Sequence, residues 1–408
     1  MEFKKTVLSN GLSVIGEQNS FAKSAAVGFF IKTGARDETE PISGVSHFLE
    51  HMLFKGTPTL SAIQVNEAFD GTGAQFNAYT SEEMTVFFAA VMPEYLLEVT
   101  NLWIELMRPA LRTDDFNLEK KVIAEEIAMY RDTPSFDVID RCRNLYFQGH
   151  PCGNSVLGTE QSIQALTAEQ MRSYFAARYA PNNMVAAFAG NFDWHRASAL
   201  VADRCSRWMP QNAERNIADY LGCKKNARLE KANLTCEHIC LISAAVSAQD
   251  ARRYAALLLA TIVGDDVGSR FFWGLVDRAL AETAVMHFMG MDGTGAFCSY
   301  IRCARDSVNK AIETVSAIFC HLRQKGITPE ELTTARNKIL SMLVIKNELP
   351  MGRLGDLGLN WTYLHQYRTI EEEVDAIKAV TVADINRMIE EFRLGDFTQV
   401  SIGPPASA

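Results

Sequence analysis

Residues 45–55 read VSHFLEHMLFK, in which two histidines and one carboxylate interrupt a run that is otherwise apolar and long enough for a buried helix. Because an α-helix has about 3.6 residues per turn, His47 and His51 lie one turn apart on the same face, with Glu50 beside them. The run ends at Gly56-Thr57-Pro58, a typical helix stop. We therefore predict a helix that carries three ionisable groups in an apolar setting, where unpaired charges are costly.

Two imidazoles at this spacing can both bind one metal ion. Zinc, which prefers tetrahedral nitrogen and oxygen ligands, is the natural candidate. The carboxylate of Glu50 is placed to take a proton from a metal-bound water. The order H-x-x-E-H is the inverse of the H-E-x-x-H motif of zinc peptidases. A single histidine on an apolar helix is more often a core residue than a ligand, but three ionisable groups within five positions favour a metal site.

A second segment, residues 113–130, offers the third protein ligand that a catalytic zinc requires. Thr113 as N-cap and acids in the first turn predict a helix. Glu119 and Glu126 are seven residues apart and therefore share a face, whereas Glu125 points about 100° away from Glu126 and is expected to be solvated. An acid on such a helix is ordinarily solvated, and only the pairing with the two histidines singles out Glu126.

On these motifs the chain resembles the M16 (pitrilysin-type, inverzincin) metallopeptidases, especially the short bacterial members related to mitochondrial processing peptidase. The resemblance implies one zinc per chain, with His47, His51 and Glu126 as ligands. It also implies that Glu50 is the catalytic general base and that Glu119 is a second acid supporting the site. Further matching segments run through nearly the whole chain: LSNGL (8–12), FNAYT (76–80), LGT (157–159), YAPNNM (179–184) and AGN (189–191).

The fold class that the resemblance implies is α+β, with two similar M16-type (LuxS/MPP-like) domains, each a mainly antiparallel sheet with packed helices. The hydrophobic pattern agrees with this expectation. Strand-like runs at 25–33, 84–91 and 184–189 alternate with helical runs at 42–55, 61–71, 93–107, 113–131 and 167–178.

A strand at 236–244 followed by a helix at 251–263 repeats the order of the strand at 25–33 and the metal-motif helix, which indicates an internal duplication. Residues 210–228 are polar and lack a sustained apolar period, as expected of a connection between domains. We therefore expect an N-terminal domain, 1–215, that carries the zinc site, and a C-terminal domain, 230–408, that has no zinc motif.

In the family, an extended peptide substrate adds as a strand to a sheet edge, and the resemblance assigns this edge to the FNAYT segment. Phe76, Asn77 and Ala78 are therefore expected to bind substrate. Main-chain hydrogen bonds of this kind give affinity with loose sequence preference. Ordinary strand packing is an equally good interpretation of the Phe76 and Tyr79 side chains.

One departure from the family pattern concerns the second domain. Active members carry an Arg and a Tyr seven residues apart, opposite the zinc, after a segment that residues 264–272 match here. The two places fall at Val276 and Thr283, and no tyrosine occurs between Tyr254 and Tyr300. The Arg/Tyr pair is therefore missing from its expected position.

Three hypotheses follow. The chain is a zinc-dependent endopeptidase acting on extended peptides or unfolded segments, whose Arg/Tyr half comes from a paralogous M16 subunit in a heterodimer. Alternatively, it is a self-sufficient homodimer, or a non-catalytic scaffold that keeps the M16 fold. The intact H-x-x-E-H motif favours a peptidase, because a scaffold has no need to keep buried ionisable groups together.

Composition excludes several other classes. A net charge of −9 over 408 residues argues against nucleic-acid binding, and no apolar run reaches the ~18–20 residues of a membrane span. Residues 1–7 read as a strand and lack a signal-peptide core, so the expected location is cytoplasmic. The nine cysteines are scattered and are expected to be free thiols. Cys236, His238 and Cys240 share a strand face, but no second ligand cluster accompanies them.

Overall fold

The computed structural model describes residues 1–215, 217–220 and 222–405. Within this part of the chain, two β-sheets are each accompanied by helices. The first sheet has six strands: β1 (Glu2–Val7), β2 (Ser13–Gln18), β3 (Ala25–Ile31), β4 (Gln75–Thr80), β5 (Thr85–Val91) and β6 (Met184–Gly190). Their order across the sheet is β1-β2-β6-β3-β5-β4, and all neighbours are antiparallel except β2 and β6. In the described residues β4 pairs with β5 alone and therefore forms one edge of this sheet.

The second sheet repeats this arrangement with five strands: β7 (Asn226–Glu230), β8 (Cys236–Ala245), β9 (Thr283–Gly290), β10 (Gly295–Ala304) and β11 (Thr398–Gly403). Their order is β7-β11-β8-β10-β9, with β7 and β11 parallel and the other pairs antiparallel. Counted from β2 and from β7, both sheets place their strands in the order first, fifth, second, fourth, third. The predicted α+β fold of two similar domains with mainly antiparallel sheets is confirmed.

The helices of the described chain are α1 (Val45–Leu53), α2 (Ala62–Thr72), α3 (Leu96–Leu106), α4 (Thr113–Asp132), α5 (Pro134–Tyr146), α6 (Glu160–Ala165), α7 (Ala168–Arg178), α8 (Trp194–Cys205), α9 (Arg253–Gly264), α10 (Val308–Lys325), α11 (Pro329–Asn347), α12 (Pro350–Leu364), α13 (Ile370–Ala379) and α14 (Val382–Glu391). The helical runs predicted from the N-terminal half correspond to α1 to α4 and α7, with differences confined to their ends. None of the helices described here combines the length and the apolar character needed to cross a bilayer.

The chain divides into two compact units, and each unit is built from several separate segments of the sequence. In their described residues, the first consists of Met1–Ile127, 154–215 and Leu343–Thr369, and the second of Ala128–Gly153, 217–220, 222–342 and 370–405. The domains predicted at 1–215 and 230–408 are each continuous in sequence. The two units differ from them because residues 128–153 belong to the second unit and residues 343–369 to the first. The segment that carries α5 belongs to the second unit, where α5 contacts β8 and β11. The segment that carries α12 belongs to the first unit, where α12 contacts β3 and β6.

The first sheet is covered on both faces because its strands are apolar on both sides. Val27 and Phe29 of β3 face a core that includes α1 and α3, whereas Phe30 faces α12. Gly358 of α12 lies so close to the Phe30 ring that an added Cβ would come within 2.2 Å of it, so this approach requires glycine. The sheet is thereby a rigid, fully packed support for α1, the helix that carries the H-x-x-E-H motif.

Candidate metal centre

The N-terminus of α1 is held by a buried carboxylate. Glu38 Oε2 accepts the backbone N–H of Gly44 at 2.6 Å, and Glu38 Oε1 accepts that of Ser46 at 2.8 Å. Gly44 has φ of +90°, and a Cβ there would lie 2.6 Å from the carbonyl oxygen of Leu157, so only glycine suits this position. A carboxyl group at a helix N-terminus accepts hydrogen bonds from free backbone N–H groups, and although these two bonds favour its ionised form, burial raises the pKa of Glu38 to about 8. These contacts set where the helix begins and therefore which face its histidines occupy.

The apolar residues of α1 anchor it in the core. Phe48, Leu49 and Leu53 are fully buried, and burying each such side chain contributes about 1.5–3 kcal/mol. The Phe48 ring stacks on that of Phe116 in α4, with ring centroids 4.8 Å apart and planes at 10°. This contact brings the two helices together at a defined spacing, so that their polar residues can meet.

The two histidines of α1 and one acid of α4 converge. His47 Nε2 lies 3.8 Å from Glu126 Oε1, and His51 Nε2 lies 3.4 Å from Glu126 Oε2. Within the described residues, these three side chains form the one group of His, Cys, Asp or Glu residues whose ligand atoms all lie within 4.8 Å of one another. Glu125 is exposed, as predicted from its angle on the helix. The structure thus brings His47, His51 and Glu126 together, and their role as metal ligands remains a prediction.

A second acid of α4 contacts the outer nitrogen of one imidazole. Glu119 Oε1 lies 3.0 Å from His51 Nδ1, and Glu119 Oε2 lies 2.5 Å from Lys55 Nζ. A carboxylate that accepts the Nδ1 hydrogen leaves the lone pair of the imidazole on Nε2, the nitrogen that faces Glu126. His47 differs, because its Nδ1 is buried and makes no hydrogen bond to any described residue.

The remaining acid of the motif is held by the edge strand. The Thr80 hydroxyl at the end of β4 donates to Glu50 Oε2 at 2.6 Å. Burial raises the pKa of Glu50, an effect that the Thr80 hydrogen bond partly offsets and the charge of Glu126 reinforces. A carboxyl group whose pKa is raised towards neutrality is suited to accept and return a proton.

The electrostatics of the cluster differ between its members. Burial, together with the neighbouring His51, lowers the pKa of His47 to about 3, so this imidazole is neutral. Burial also opposes protonation of His51, but its hydrogen bond to Glu119 and the charges of Glu126 and Glu50 raise its pKa overall. For Glu126, burial and the charge of Glu119 raise the pKa against the opposing effect of His51.

The donor set suits zinc. Two imidazole nitrogens and one carboxylate oxygen are ligands that Zn²⁺ takes in catalytic sites, which keep a fourth position open. A divalent cation between the two imidazoles and Glu126 would reduce the repulsion between the carboxylates of Glu50, Glu119 and Glu126, which contributes to the raised pKa of Glu50 and of Glu126. The carboxylate on His51 Nδ1 is the outer contact that zinc-ligating histidines ordinarily have.

The segment expected to bind substrate lies on the edge strand β4. Phe76 points inward, where its ring stacks on Phe69 of α2 with centroids 3.9 Å apart, so strand packing accounts for that side chain. Asn77 is exposed, and its Oδ1 accepts the backbone N–H of Ala78 at 2.9 Å. Tyr79 is exposed as well. The assignment of Phe76, Asn77 and Ala78 to substrate binding remains a prediction.

The other cluster considered from the sequence has different partners. His238 Nδ1 lies 2.8 Å from the Tyr300 hydroxyl, and Cys236 Sγ lies 3.4 Å from a Glu282 carboxylate oxygen. Cys240 Sγ lies 3.7 Å from Cys298 Sγ in the core of the second unit. These residues share a face of β8, as predicted, but each one contacts a different group.

Two further residues contact acids of the candidate site, Thr80 and Lys55, and no role in it was expected of them from the sequence. Both had a signal. Thr80 lies on the same face of β4 as Phe76 and Ala78 by strand alternation, and Lys55 lies four residues beyond His51. Neither signal indicates which acid the side chain reaches, because Glu50 and Glu119 lie on other elements.

Two protein-family models match most of the chain. Residues 13–160 match the model described as insulinase (peptidase family M16), and residues 165–339 match the model described as the peptidase M16 inactive domain. The uncharacterized zinc protease ML0855 of Mycobacterium leprae is 30% identical over 99% of this chain and 92% of its own length. The uncharacterized zinc protease YmxG of Bacillus subtilis is 28% identical over 98% of both chains.

Solved structures share the fold at lower identity. A protease from Helicobacter pylori superposes with a TM-score of 0.91 at 22% identity, covering 99% of both chains. A chain of complex III from Candida albicans gives 0.84 at 19% identity, covering 98% of this chain and 95% of its own. The two family models together span most of the sequence, and the relatives match along its length. The chain therefore belongs to peptidase family M16.

Proposed function

We propose that this chain is a zinc-dependent endopeptidase that hydrolyses extended peptides or unfolded segments, and that it is the zinc-bearing subunit of a two-chain peptidase. The observation that carries the proposal is the convergence of His47 Nε2, His51 Nε2 and the Glu126 carboxylate beside the partly buried carboxylate of Glu50. The relatives named zinc proteases support the same reaction class.

His47, His51 and Glu126 would hold the metal. A zinc ion in such a site acidifies water and polarises the scissile carbonyl. Glu50 accepts the proton of the attacking water and returns it to the nitrogen of the leaving amine. Thr80 orients Glu50 by its hydrogen bond to Oε2, which leaves the other carboxylate oxygen to face the water.

The edge strand β4 would bind the peptide backbone. Because the N–H of Ala78 bonds to Asn77 Oδ1 and not to β5, the Ala78 backbone faces the open edge of the sheet. Strand alternation places the backbones of Phe76 and Thr80 on the same side. A substrate strand that pairs here would extend past Thr80, whose side chain contacts Glu50. Recognition through backbone groups suits unfolded segments of varied sequence.

A second subunit is proposed because this chain lacks the Arg/Tyr pair at the expected positions. In the second unit, Val276 ends a helical turn at Phe272–Val276 and Thr283 begins β9, and neither side chain can replace an Arg or a Tyr. A paralogous M16 chain with this pair would supply the groups that bind the reacting carbonyl. A homodimer that uses other residues is the competing arrangement.

A non-catalytic scaffold is the second candidate function. The fold that the chain shares with a complex III chain and the missing Arg/Tyr pair favour it. The retained cluster opposes it, because buried ionisable groups are costly unless they bind something. Zinc content and turnover together separate the two functions.

The test is zinc analysis and cleavage of an unstructured fluorogenic peptide by the purified, zinc-reconstituted chain. Wild-type protein should contain one zinc, and His51→Ala should lose both the zinc and the cleavage. The matched control is His195→Ala, which removes an exposed histidine of α8 and should change neither. Full zinc occupancy in the His51→Ala protein would refute the ligand assignment.

The subunit arrangement is tested by adding a paralogous chain that carries the Arg/Tyr pair. The isolated chain should bind zinc but cleave poorly, and the paralogue should raise kcat/KM more than it changes zinc content. Strong cleavage by the isolated chain would favour the homodimer. Zinc binding without cleavage under either condition would favour the scaffold.

A further inference from the structure

We infer that Lys55 is a positioning residue of the metal centre, which acts by holding the Glu119 carboxylate against His51. The inference rests on the proposed function, because it assigns a role towards the same zinc site. It concerns a side chain whose ion pair is with Glu119 and not with one of the three proposed ligands.

Three side chains contact one another in sequence: His51, Glu119 and Lys55. His51 Nδ1 lies 3.0 Å from Glu119 Oε1, and Lys55 Nζ lies 2.5 Å from Glu119 Oε2. The Glu119 side chain is only 4% exposed, so its charge is largely removed from water. Its Oε2 atom is buried, and the ammonium group of Lys55 contacts it directly. The ion pair with Lys55 is therefore the contact that balances this oxygen.

The backbone of Lys55 is itself tied to the helix pair. The Lys55 N–H donates to the Met52 carbonyl at 3.2 Å, at the end of α1. The guanidinium of Arg112, which directly precedes α4, donates to the Lys55 carbonyl at 3.3 Å and to the Thr57 carbonyl at 2.7 Å. Lys55 thus leaves α1 at a point that is bonded to the start of α4, and its ammonium group spans to Glu119 on that helix.

The charge of Lys55 matters because the site carries more negative charge than one divalent cation can balance. Glu50, Glu119 and Glu126 place three carboxylates around two imidazoles, so a divalent cation alone leaves one negative charge uncompensated. Lys55 lies against the acid that does not face the metal position, and it compensates that charge without competing for the ligands. Without Lys55, Glu119 would be free to rotate away from His51, and the imidazole would lose the contact that sets its orientation.

A purely structural role is the alternative. A cation just beyond the C-terminus of α1 stabilises the helix through its dipole, whatever its effect on zinc. That role predicts a change in thermal stability that does not depend on Glu119. The positioning role instead predicts that the effects of Lys55 and Glu119 on zinc affinity are coupled.

The experiment is a double-mutant cycle on zinc affinity, measured by competition with a chromogenic chelator at fixed pH and ionic strength. Lys55→Met should weaken zinc binding about 10-fold, within the ~10–100-fold range for losing an outer contact of a metal ligand. In the Glu119→Gln background, the same substitution should change zinc affinity less than about twofold, because the residue through which it acts is already altered. Lys55→Arg, which keeps the charge, should stay within about threefold of wild type.

The matched control is Lys121→Met, which removes the same charge from an exposed position two residues beyond Glu119 on α4 and should leave affinity unchanged. Equal losses from Lys55→Met in both backgrounds would overturn the inference, as would unchanged affinity in the wild-type background while Glu119→Gln weakens binding. If His51→Ala also fails to weaken binding, the zinc site itself is refuted. The two failures are therefore distinguishable.

Discussion

The two units repeat one sheet topology, in which β3 of the first sheet corresponds to β8 of the second. The helices that follow these two strands differ completely in their side chains. In the first unit this helix is α1, which carries His47, Glu50 and His51 among buried apolar residues. In the second it is α9, RYAALLLATIVG, whose titratable side chains, Arg253 and Tyr254, stand at its start. From Ala255 onward α9 carries no group that can bind a metal.

This difference shows how little of the fold depends on the metal site. α9 lies against β9, whereas α1 meets α4 through both an aromatic stack and a polar cluster. In the second half of the chain, α11 has acids at Glu330 and Glu331 in its first turn and none beyond. The same topology thus forms with or without ionisable groups along this helix, and the candidate chemistry belongs to a few side chains of one copy.

The largest expected effect is that of replacing Glu50, which should abolish catalysis in the first unit but not metal binding. Glu50→Gln should retain zinc, because the ligand set is intact, but lose peptide cleavage by about 10²–10⁴-fold as general-base removal typically does. Steady-state kinetics and zinc analysis on one preparation measure both. Glu125→Gln, at an exposed position of α4, is the control and should behave as wild type. Near-normal turnover by Glu50→Gln would end the assignment.

The second prediction compares matched leucines of the two helices. Leu258 in α9 and Leu49 in α1 are both fully buried, so truncating either to alanine should lower the free energy of unfolding by about 2–5 kcal/mol. Leu49→Ala should also weaken zinc binding, because it loosens the helix that carries the histidines. Leu258→Ala should leave zinc affinity unchanged. Denaturant unfolding and chelator competition test this contrast, and equal effects on zinc would break it.

A smaller effect is expected at Glu119, which has no counterpart in the second unit. Glu119→Gln should weaken zinc binding or activity by about 10–100-fold, since the amide is a poorer acceptor for His51 Nδ1 than the carboxylate. Titration with a competing chelator measures the loss. If the variant matches wild type in both respects, Glu119 is only a buried acid paired with Lys55.

The smallest effect concerns pH. The folded metal-free chain has a raised pKa at His51, because the hydrogen bond to Glu119 and the charges of Glu126 and Glu50 outweigh burial. The folded state therefore binds this proton more tightly than the unfolded chain. The resulting stabilisation is fully present below the ordinary pKa of 6.5 and is lost as pH rises through the raised value.

Two measurements check this pH dependence. The stability of the metal-free chain relative to His51→Gln should fall as pH rises above that range, in thermal or denaturant unfolding. Zinc affinity should rise over the same interval, because only the neutral imidazole binds a metal. A difference between the two proteins that does not change with pH would contradict the charge assignment at His51.

Much of the site was predictable from local periodicity. The spacing of His47 and His51, and that of Glu119 and Glu126, follows from 3.6 residues per turn, and the structure places each pair on one face. The strand–helix order that indicates the duplication is likewise a property of short segments. These features depend on residues close in sequence, so the sequence alone determined them.

Tertiary structure decided the contacts between elements distant in sequence. Whether Thr80 reaches Glu50 depends on how β4 pairs with β5 and lies against α1, and whether Lys55 reaches Glu119 depends on the packing of Phe48 on Phe116. The exchange of α5 and α12 between the units has the same origin. Each of these helices buries its apolar face against whichever sheet surface is open to it, and helical period specifies that a face is apolar but not which surface covers it.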